Sequence, residues 1–396
     1  MSDLLLTGIG LLTTNTAEPI PDAAVKVVDG SVVYAGPETD SPEQGGAARI
    51  DCEGRSVIPG FVDGHTHLVF AGDRADEFAR RLSGANYQEI AASGGGILAT
   101  VAATRSASER DLYELSAQRA GRMIASGTTT VEIKSGYGLD LETEMRLLRV
   151  ARQIGEKLPV TVKTTFLGAH ALPSEFRHDR AGYVDLVIDE MLPAVAGLAD
   201  YCDVFVEDTA FSAEEARRIF QAAATHGLQA RVHAEQLTRS GGAALAAEVS
   251  AASADHLDHV NEEDARALAA AGVVAVLVPG ASYSLRSPQA PGPMLIENGV
   301  TVALATDCNP GTSYFESMGL VMSLAVVQMG LTVDQALFAA TRGGALALGL
   351  DDYGMIAPGA VGDIVILDAP SPAHVAYRPG TNLAWKTIKS GSVVAG

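Results

Sequence analysis

Pro59-Gly60-Phe61-Val62-Asp63-Gly64-His65-Thr66-His67 is the stretch on which the reading of this chain turns. Ser56-Val57-Ile58 before it reads as an apolar strand, and Val57–Phe61 is counted as the first strand of the long central region. Residues two apart on a strand point to the same face, so His65 and His67 can aim both imidazoles at one point. Two converging neutral imidazoles suit Zn²⁺ or Fe²⁺. A bare His-x-His is as often a structural pair as a ligand pair. The strand, the flanking glycines and the further candidate ligands downstream weigh for a metal.

Outward from this stretch the chain changes texture in both directions. Residues 1–58 are rich in short strands: Leu4–Gly8, Ala24–Val28 and Ser31–Ala35, the last two joined by Asp29-Gly30, a strong hairpin signal. Residues 36–48 read as an exposed loop, and no helix is evident in this part. From about residue 59, β-branched runs alternate with Ala-rich helical stretches. Strands are expected at Thr129–Ile133, Val160–Leu167, Asp203–Val206, Gln229–His233, Ala254–His256, Val273–Val278 and Val300–Ala305. Helices are expected to start at Ser108-Glu109-Arg110-Asp111 and Ser212-Ala213-Glu214-Glu215, each a hydroxyl residue with an acid three later. About eight strands alternating with helices favour a closed (β/α)₈ barrel. No Gly-x-Gly-x-x-Gly follows the first strand, which weakens a dinucleotide-binding sheet. The last forty or so residues return to strands, at Asp363–Asp368 and as a hairpin over Thr387–Val394. The expected organisation is therefore an α/β barrel over residues 59–357, inserted into a small β-sandwich domain built from residues 1–58 and 358–396.

Composition narrows the class. The 396 residues are 47% apolar and carry a formal charge of −20. Such a surface repels nucleic acid and anionic membranes, yet a buried site still sets its own potential and admits an anionic small substrate. The three cysteines, Cys52, Cys202 and Cys308, have no zinc-type or framework spacing and read as free thiols of a reducing compartment. Met1-Ser2-Asp3-Leu4 lacks the basic start of a signal peptide, and no apolar run reaches spanning length. A soluble cytoplasmic protein is expected.

Catalytic groups of such a barrel sit at the C-terminal ends of its strands. His65, His67, His170, His233, His256 and Asp307 all fall there. His65, His67, His233 and Asp307 form a mixed N/O set for one ion, which lowers the pKa of a bound water. Asp307 has a second oxygen to take a proton, and His170 or His256 can polarise the electrophile. Lys134 and Lys163 are not at the end of the fourth strand, where a bridging carbamate for two metals is needed, so one ion is expected.

Several stretches together carry a resemblance. They are Val57–His67, His65–Arg74, Lys134–Leu139, Thr165–His170, Val232–Gln236, Ser253–His256 and Ala305–Thr312. With the split β-domain, they resemble the amidohydrolase superfamily. Within it they resemble the branch that hydrolyses 4-imidazolone-5-propanoate to N-formimidoyl-L-glutamate in histidine degradation. The resemblance runs over essentially the whole chain. His-x-His marks only the superfamily, while the Tyr137 loop and Asp307-Cys308-Asn309-Pro310-Gly311-Thr312 are more specific.

The resemblance implies one Zn²⁺ or Fe²⁺/Fe³⁺ on His65, His67, His233 and Asp307, and a homodimer. It implies substrate contacts from Arg74, Tyr137, His170, Gln236, Asn309, Gly311 and Thr312, and a catalytic or orienting role for His256. Gln236 stands where some members have Glu, and an amide cannot act as a base. The chemistry agrees: Arg74 offers a cation to the propionate tail, Tyr137 lies between two glycines, and the glycines and Thr312 after Asp307 can offer N–H groups to an anion. Two other readings use the same residues. One is a deaminase of cyclic amidines, which releases ammonia. The other is a non-catalytic scaffold, which has no need for a complete ligand set.

Overall fold

The computed structural model describes residues 3–84 and 95–396. Its strands are β1 (Leu4–Leu12), β2 (Ile20–Val28), β3 (Ser31–Pro37), β4 (Ala48–Asp51), β5 (Ser56–Pro59), β6 (Phe61–Asp63), β7 (Thr128–Lys134) and β8 (Thr161–Ala169). They continue as β9 (Tyr201–Val206), β10 (Gln229–Ala234), β11 (Ser253–His256), β12 (Val274–Leu277), β13 (Val302–Leu304), β14 (Ile364–Leu367), β15 (Ala384–Lys389) and β16 (Ser392–Ala395).

Among the described residues two sheets of eight strands result. One runs β16-β15-β14-β5-β1-β2-β3, with β4 also on β1, and so draws on both ends of the chain. Most of its pairs are antiparallel, while β1 runs parallel to β4 and β5. The β2–β3 turn is made by Asp29 and Gly30 at φ +49° and +82°. Both values lie in the left-handed region that a two-residue hairpin turn demands. Leu6, Ile9, Leu12, Val25, Val57, Ile364, Ile366 and Ile388 fill this sheet's apolar core. A single 3₁₀ turn, Glu38–Asp40, interrupts the loop expected over 36–48.

The other sheet is parallel, in the order β6 to β13. Its crossover helices begin as their caps require. Ser108 accepts from Asp111 N ahead of Glu109–Ala125, and Ser212 with Glu215 closes a reciprocal box ahead of Ala213–Thr225. The ends of the sheet meet beyond β6 and β13, through a parallel bridge between Thr66 and Cys308. Asp307 N donates to His65 O at 3.0 Å and His67 N to Cys308 O at 3.1 Å. Below the bridge Asp63 accepts from Thr306 N at 3.0 Å and Thr306 Oγ1 at 2.6 Å. Over this seam lies the helical segment around Gly343 and Gly344. A Cβ there would strike the Val302 and Val62 carbonyls, so only glycine allows the approach.

One strand assignment is corrected. Ser56–Pro59 belongs to the sheet of the chain ends, paired with β1 and β14. The chain crosses at Gly60, and the barrel starts with Phe61–Asp63. A short apolar run buried on both faces fits either sheet. Long-range pairing with Ile364–Ile366 decides the matter.

Candidate metal centre and substrate site

Alternation along the barrel strands builds the site. On β10, Val232 and Ala234 pack outward under the helices, while Arg231 and His233 share the other face. On β7, Val131 and Ile133 pack outward, leaving Glu132 and Lys134. On β9 and β11, Val204 and Ala254 pack outward, leaving Asp203 and Asp255. The interior of this barrel is therefore charged near its C-terminal rim, where a barrel of this type ordinarily holds bulky apolar layers.

His65 and His67 follow β6 in extended chain, either side of Thr66. Asp307 Oδ1 lies 3.5 Å from His65 Nε2 and 3.6 Å from His67 Nε2. His233 Nε2 lies 3.3 Å from His67 Nε2. All four side chains are buried. Buried His65 Nε2 has no hydrogen-bond partner among the described residues. Burial, Lys134 and His233 drive the His65 pKa well below its ordinary value. Burial and the surrounding imidazoles do the same for His67. Burial pushes the Asp307 carboxyl up. Imidazole nitrogens and a carboxyl oxygen crowded within 3.3 to 3.6 Å of one another in a buried cluster match the donor set of a divalent ion, so these residues fit one. His65, His256 and Asp307 make an overlapping group of possible ligands.

Buried carboxylates orient the imidazoles from behind. His65 Nδ1 lies 2.6 Å from Asp255 Oδ2, and His233 Nδ1 lies 2.9 Å from Asp203 Oδ2. The hydrogen bond to Asp255 fixes which nitrogen of His65 carries the proton and leaves the other to a ligand role, while Asp203 faces His233 at ion-pair distance. The ammonium of Lys134 sits among Asp203 at 2.8 Å, Glu132 at 3.0 Å and Asp255 at 3.3 Å. Burial works to strip its proton, but Asp203 and Glu132 outweigh that and raise its pKa. Arg231 adds a second cation, 3.2 Å from Asp255 Oδ2 and 2.7 Å from the Gly64 carbonyl. Glu132, Lys134, Asp203, Arg231 and Asp255 all have fully buried side chains. The sequence reading missed this network, apart from noting Lys134 as no carbamate. The available signal was charge at inward positions of apolar strands, two residues from a ligand in the case of Arg231.

The other candidates surround this centre. The His170 ring stacks on His67, with centroids 5.0 Å apart and 17° between planes. Its Nδ1 is 3.0 Å from the Gly136 carbonyl, and burial and His233 lower its pKa to about 3. Tyr137 lies 5.6 Å from the His67 ring and 5.4 Å from that of His170. Its hydroxyl pKa is raised by burial and by Asp307. His256 lies 5.4 Å from His65 and 5.2 Å from His233, ring to ring, with buried Nδ1 unpartnered among the described residues. Gln236 is buried just beyond β10.

Arg74 and the loop after Asp307 differ in detail from the expectation. The Arg74 guanidinium is clasped by Glu77, through Nε at 2.9 Å and through Nη2. Its Nη1 lies against Gly311. The Gly311 and Thr312 N–H groups both donate to Asn309 Oδ1 at 2.8 Å, and Asn309 Nδ2 donates to the Asp307 carbonyl at 2.7 Å. The loop thus satisfies its own amides, rather than turning them toward an anion, because a short Asn side chain reaches its backbone two and three residues on. Arg74, Arg81, Gly311 and Thr312 line a cavity of about 990 Å³, together with Phe78 and Tyr314. The imidazoles of the metal centre do not line it.

Residues 56–395 match the family described as the amidohydrolase family, and the chain belongs to that family. Among curated proteins, it is 47% identical to an imidazolonepropionase of Symbiobacterium thermophilum, over 99% of this chain and 97% of the relative. It is 52% identical to an imidazolonepropionase of Bradyrhizobium diazoefficiens, over 91% of each. Within the amidohydrolases the chain thus groups with the imidazolonepropionases. Its fold is that of N-isopropylammelide isopropylaminohydrolase from Burkholderia multivorans, with a TM-score of 0.72, 21% identity and coverage of 100% and 98%. It is also that of 5-methylcytosine deaminase from Klebsiella pneumoniae, with a TM-score of 0.75, 17% identity and coverage of 98% and 97%. No helix among the described residues is long and apolar enough to cross a membrane.

Proposed function

We infer that the chain hydrolyses 4-imidazolone-5-propanoate to N-formimidoyl-L-glutamate, with one divalent ion per chain on His65, His67, His233 and Asp307. The observation that carries this is the close approach of those ligand atoms within one buried cluster, His65 shared between the His67–His233 group and the Asp307–His256 group, beside His170 and Tyr137. A bound ion supplies Lewis acidity and lowers the pKa of water. Nitrogen and oxygen ligands accept both zinc and iron. The resemblance to the family supports a cytoplasmic homodimer.

The chain's own residues handle the rest. Water adds to the ring carbonyl, the ring C–N bond breaks, and the proton lost by the water ends on the freed nitrogen. Asp307 and His256 are the groups placed to carry that proton. Asp307 has a second carboxylate oxygen, and His256 has a buried Nδ1 without a partner among the described residues. His170 and Gln236 address the ring. Asn309, Gly311 and Thr312 wall the site beside Arg74, and Tyr137 offers its hydroxyl. Arg74 holds the propionate through Nη1, while Glu77 grips its other nitrogens and keeps the planar head in place.

The direct test follows loss of imidazolonepropionate absorbance with purified protein, alongside elemental analysis. Ammonia release in place of ring opening, or no turnover by metal-replete protein, would overturn the reading. Arg74→Met is expected to cost ~2–5 kcal/mol of transition-state binding, or roughly thirty- to several-thousand-fold in kcat/KM, with metal content unchanged. Arg74→Lys recovers only part, because an ammonium lacks the planar head. Equal losses on the acid and on an analogue with an uncharged tail would remove Arg74 from the carboxylate.

A further inference from the structure

The loop that carries Tyr137 is held from one side by a single buried carboxylate. Glu144 lies in the first turns of helix Leu141–Lys157, whose N-cap is Asp140. Its side chain turns back onto the loop before the helix. Oε1 accepts from Gly138 N and Leu139 N, both at 2.8 Å, and from Gly136 N at 3.2 Å. Oε2 accepts from Gly136 N at 3.0 Å. Glu144 is fully buried. The loop backbone is unusual, with φ +101° at Gly136 and +55° at Leu139. Leu139 is a non-glycine residue in the left-handed region, a conformation that persists only when its surroundings impose it.

The consequence reaches the reaction site through one carbonyl. With its N–H held by Glu144, Gly136 presents its oxygen to His170 Nδ1 at 3.0 Å. A Cβ at Gly136 would sit 3.0 Å from that same Nδ1, so backbone and imidazole are in direct contact. The carbonyl fixes the rotation of the His170 ring, which then lies flat on His67. Tyr137, between the two clamped glycines, is aimed by the same backbone. Beyond the loop, Ser135 Oγ accepts from Leu167 N at 2.9 Å and ties this segment to β8, whose chain leads to His170.

We propose that Glu144 is a positioning residue for this reaction: its carboxylate sets the backbone of residues 136–139, and through it the His170 imidazole and the Tyr137 ring. The proposal rests on the assignment of His170 and Tyr137 to the substrate made above. The Glu144 carboxylate is taken up by the amides of Gly136, Gly138 and Leu139, so its effect must pass through the loop to these two side chains. An ordinary helix-capping acid stabilises its own helix, whereas Glu144 binds N–H groups that all precede the helix.

The experiment compares Glu144→Gln, Glu144→Ala, His170→Asn and the double variant Glu144→Ala/His170→Asn in the metal-loaded enzyme. Loss of an orienting partner typically costs ten- to a hundredfold, and Glu144→Ala should lower kcat/KM by about that much with bound metal unchanged. Glu144→Gln keeps an oxygen at the Oε1 position but sets an NH₂ against Gly136 N, so it should lose only about three- to tenfold, a partial rescue. Amide exchange of the peptide spanning 135–145 should speed up in both. In the His170→Asn background, Glu144→Ala should cost less than about threefold, because residues acting as one unit are not additive. Losses that multiply fully would make Glu144 merely structural and overturn the proposal. So would a loop that exchanges faster while turnover stays at the wild-type level. If Glu144→Ala does not fold, the same cycle is run with Glu144→Gln, and its additivity decides. A wild-type enzyme inert toward imidazolonepropionate overturns the functional reading, and the positioning role with it. An active wild type with unchanged Glu144 variants overturns the positioning role alone.

Discussion

The sheet made by the chain ends and the sheet of the barrel each have eight strands, and they bury different chemistry. In the first, the enclosed residues are mostly apolar, Leu6, Ile9, Val57, Ile364 and Ile366 among them, and charge enters at its margin, where buried Asp363 pairs with Lys389. In the second, strand positions that alternate with Val131, Val204, Val232 and Ala254 hold Glu132, Lys134, Asp203, Arg231 and Asp255. An apolar interior contributes stability roughly in proportion to the area removed from water. A charged one offers no such return, since desolvation offsets much of its internal attraction. What the charged interior provides is direction, because it tells His65 and His233 where to point.

The contrast can be broken most severely at the centre itself. His233→Ala should lose bound metal and activity together while the protein stays folded, read by elemental analysis, turnover and circular dichroism. Metal retained in full by that variant would remove His233 from the ligand set. The next effect is one shell out. Asp255→Asn keeps the shape but leaves Lys134 and Arg231 short of a buried partner. It should destabilise by ~3–5 kcal/mol in denaturant unfolding and weaken metal binding about ten- to a hundredfold in a chelator competition. A loss of stability with unaltered metal affinity would mean that this carboxylate serves the fold alone. The smallest effect belongs to the other sheet. Ile366→Val should cost about 0.5–1.5 kcal/mol and leave metal affinity and kcat/KM untouched. A change in metal affinity there would show that the two sheets are coupled through β5 and Gly60, where the chain steps from one to the other.

Much of this was legible locally. The Asp29-Gly30 turn, the caps at Ser108 and Ser212, and the alternation of strand with helix are written in neighbouring residues. His65, His67, His233 and Asp307 were picked out as candidates because each stands at or just past a strand end. Val57–Phe61 was counted as one barrel strand, whereas the chain splits it at Gly60 between the two sheets, since burial on both faces gives a short run no face to declare. The self-satisfied loop at Asn309 was missed for another reason. Asn, Gly and Thr in that spacing serve equally well to bind an anion or to bind one another.

By itself the sequence determined which faces of each strand are apolar, where turns and helix starts fall, and which side chains stand at the rim. Those features come from periods of two and 3.6 residues and from caps a few residues long. Tertiary structure alone decided the partners: Asp255 behind His65, 190 residues away in the chain, Asp203 behind His233, and Lys134 between both carboxylates. It alone placed Glu144 on the amides that precede its own helix, and the Gly136 carbonyl on His170. A buried charge must find an opposite charge or a hydrogen bond wherever the fold brings one near. Which group that is depends on barrel closure and strand register, and no local pattern of residues records either.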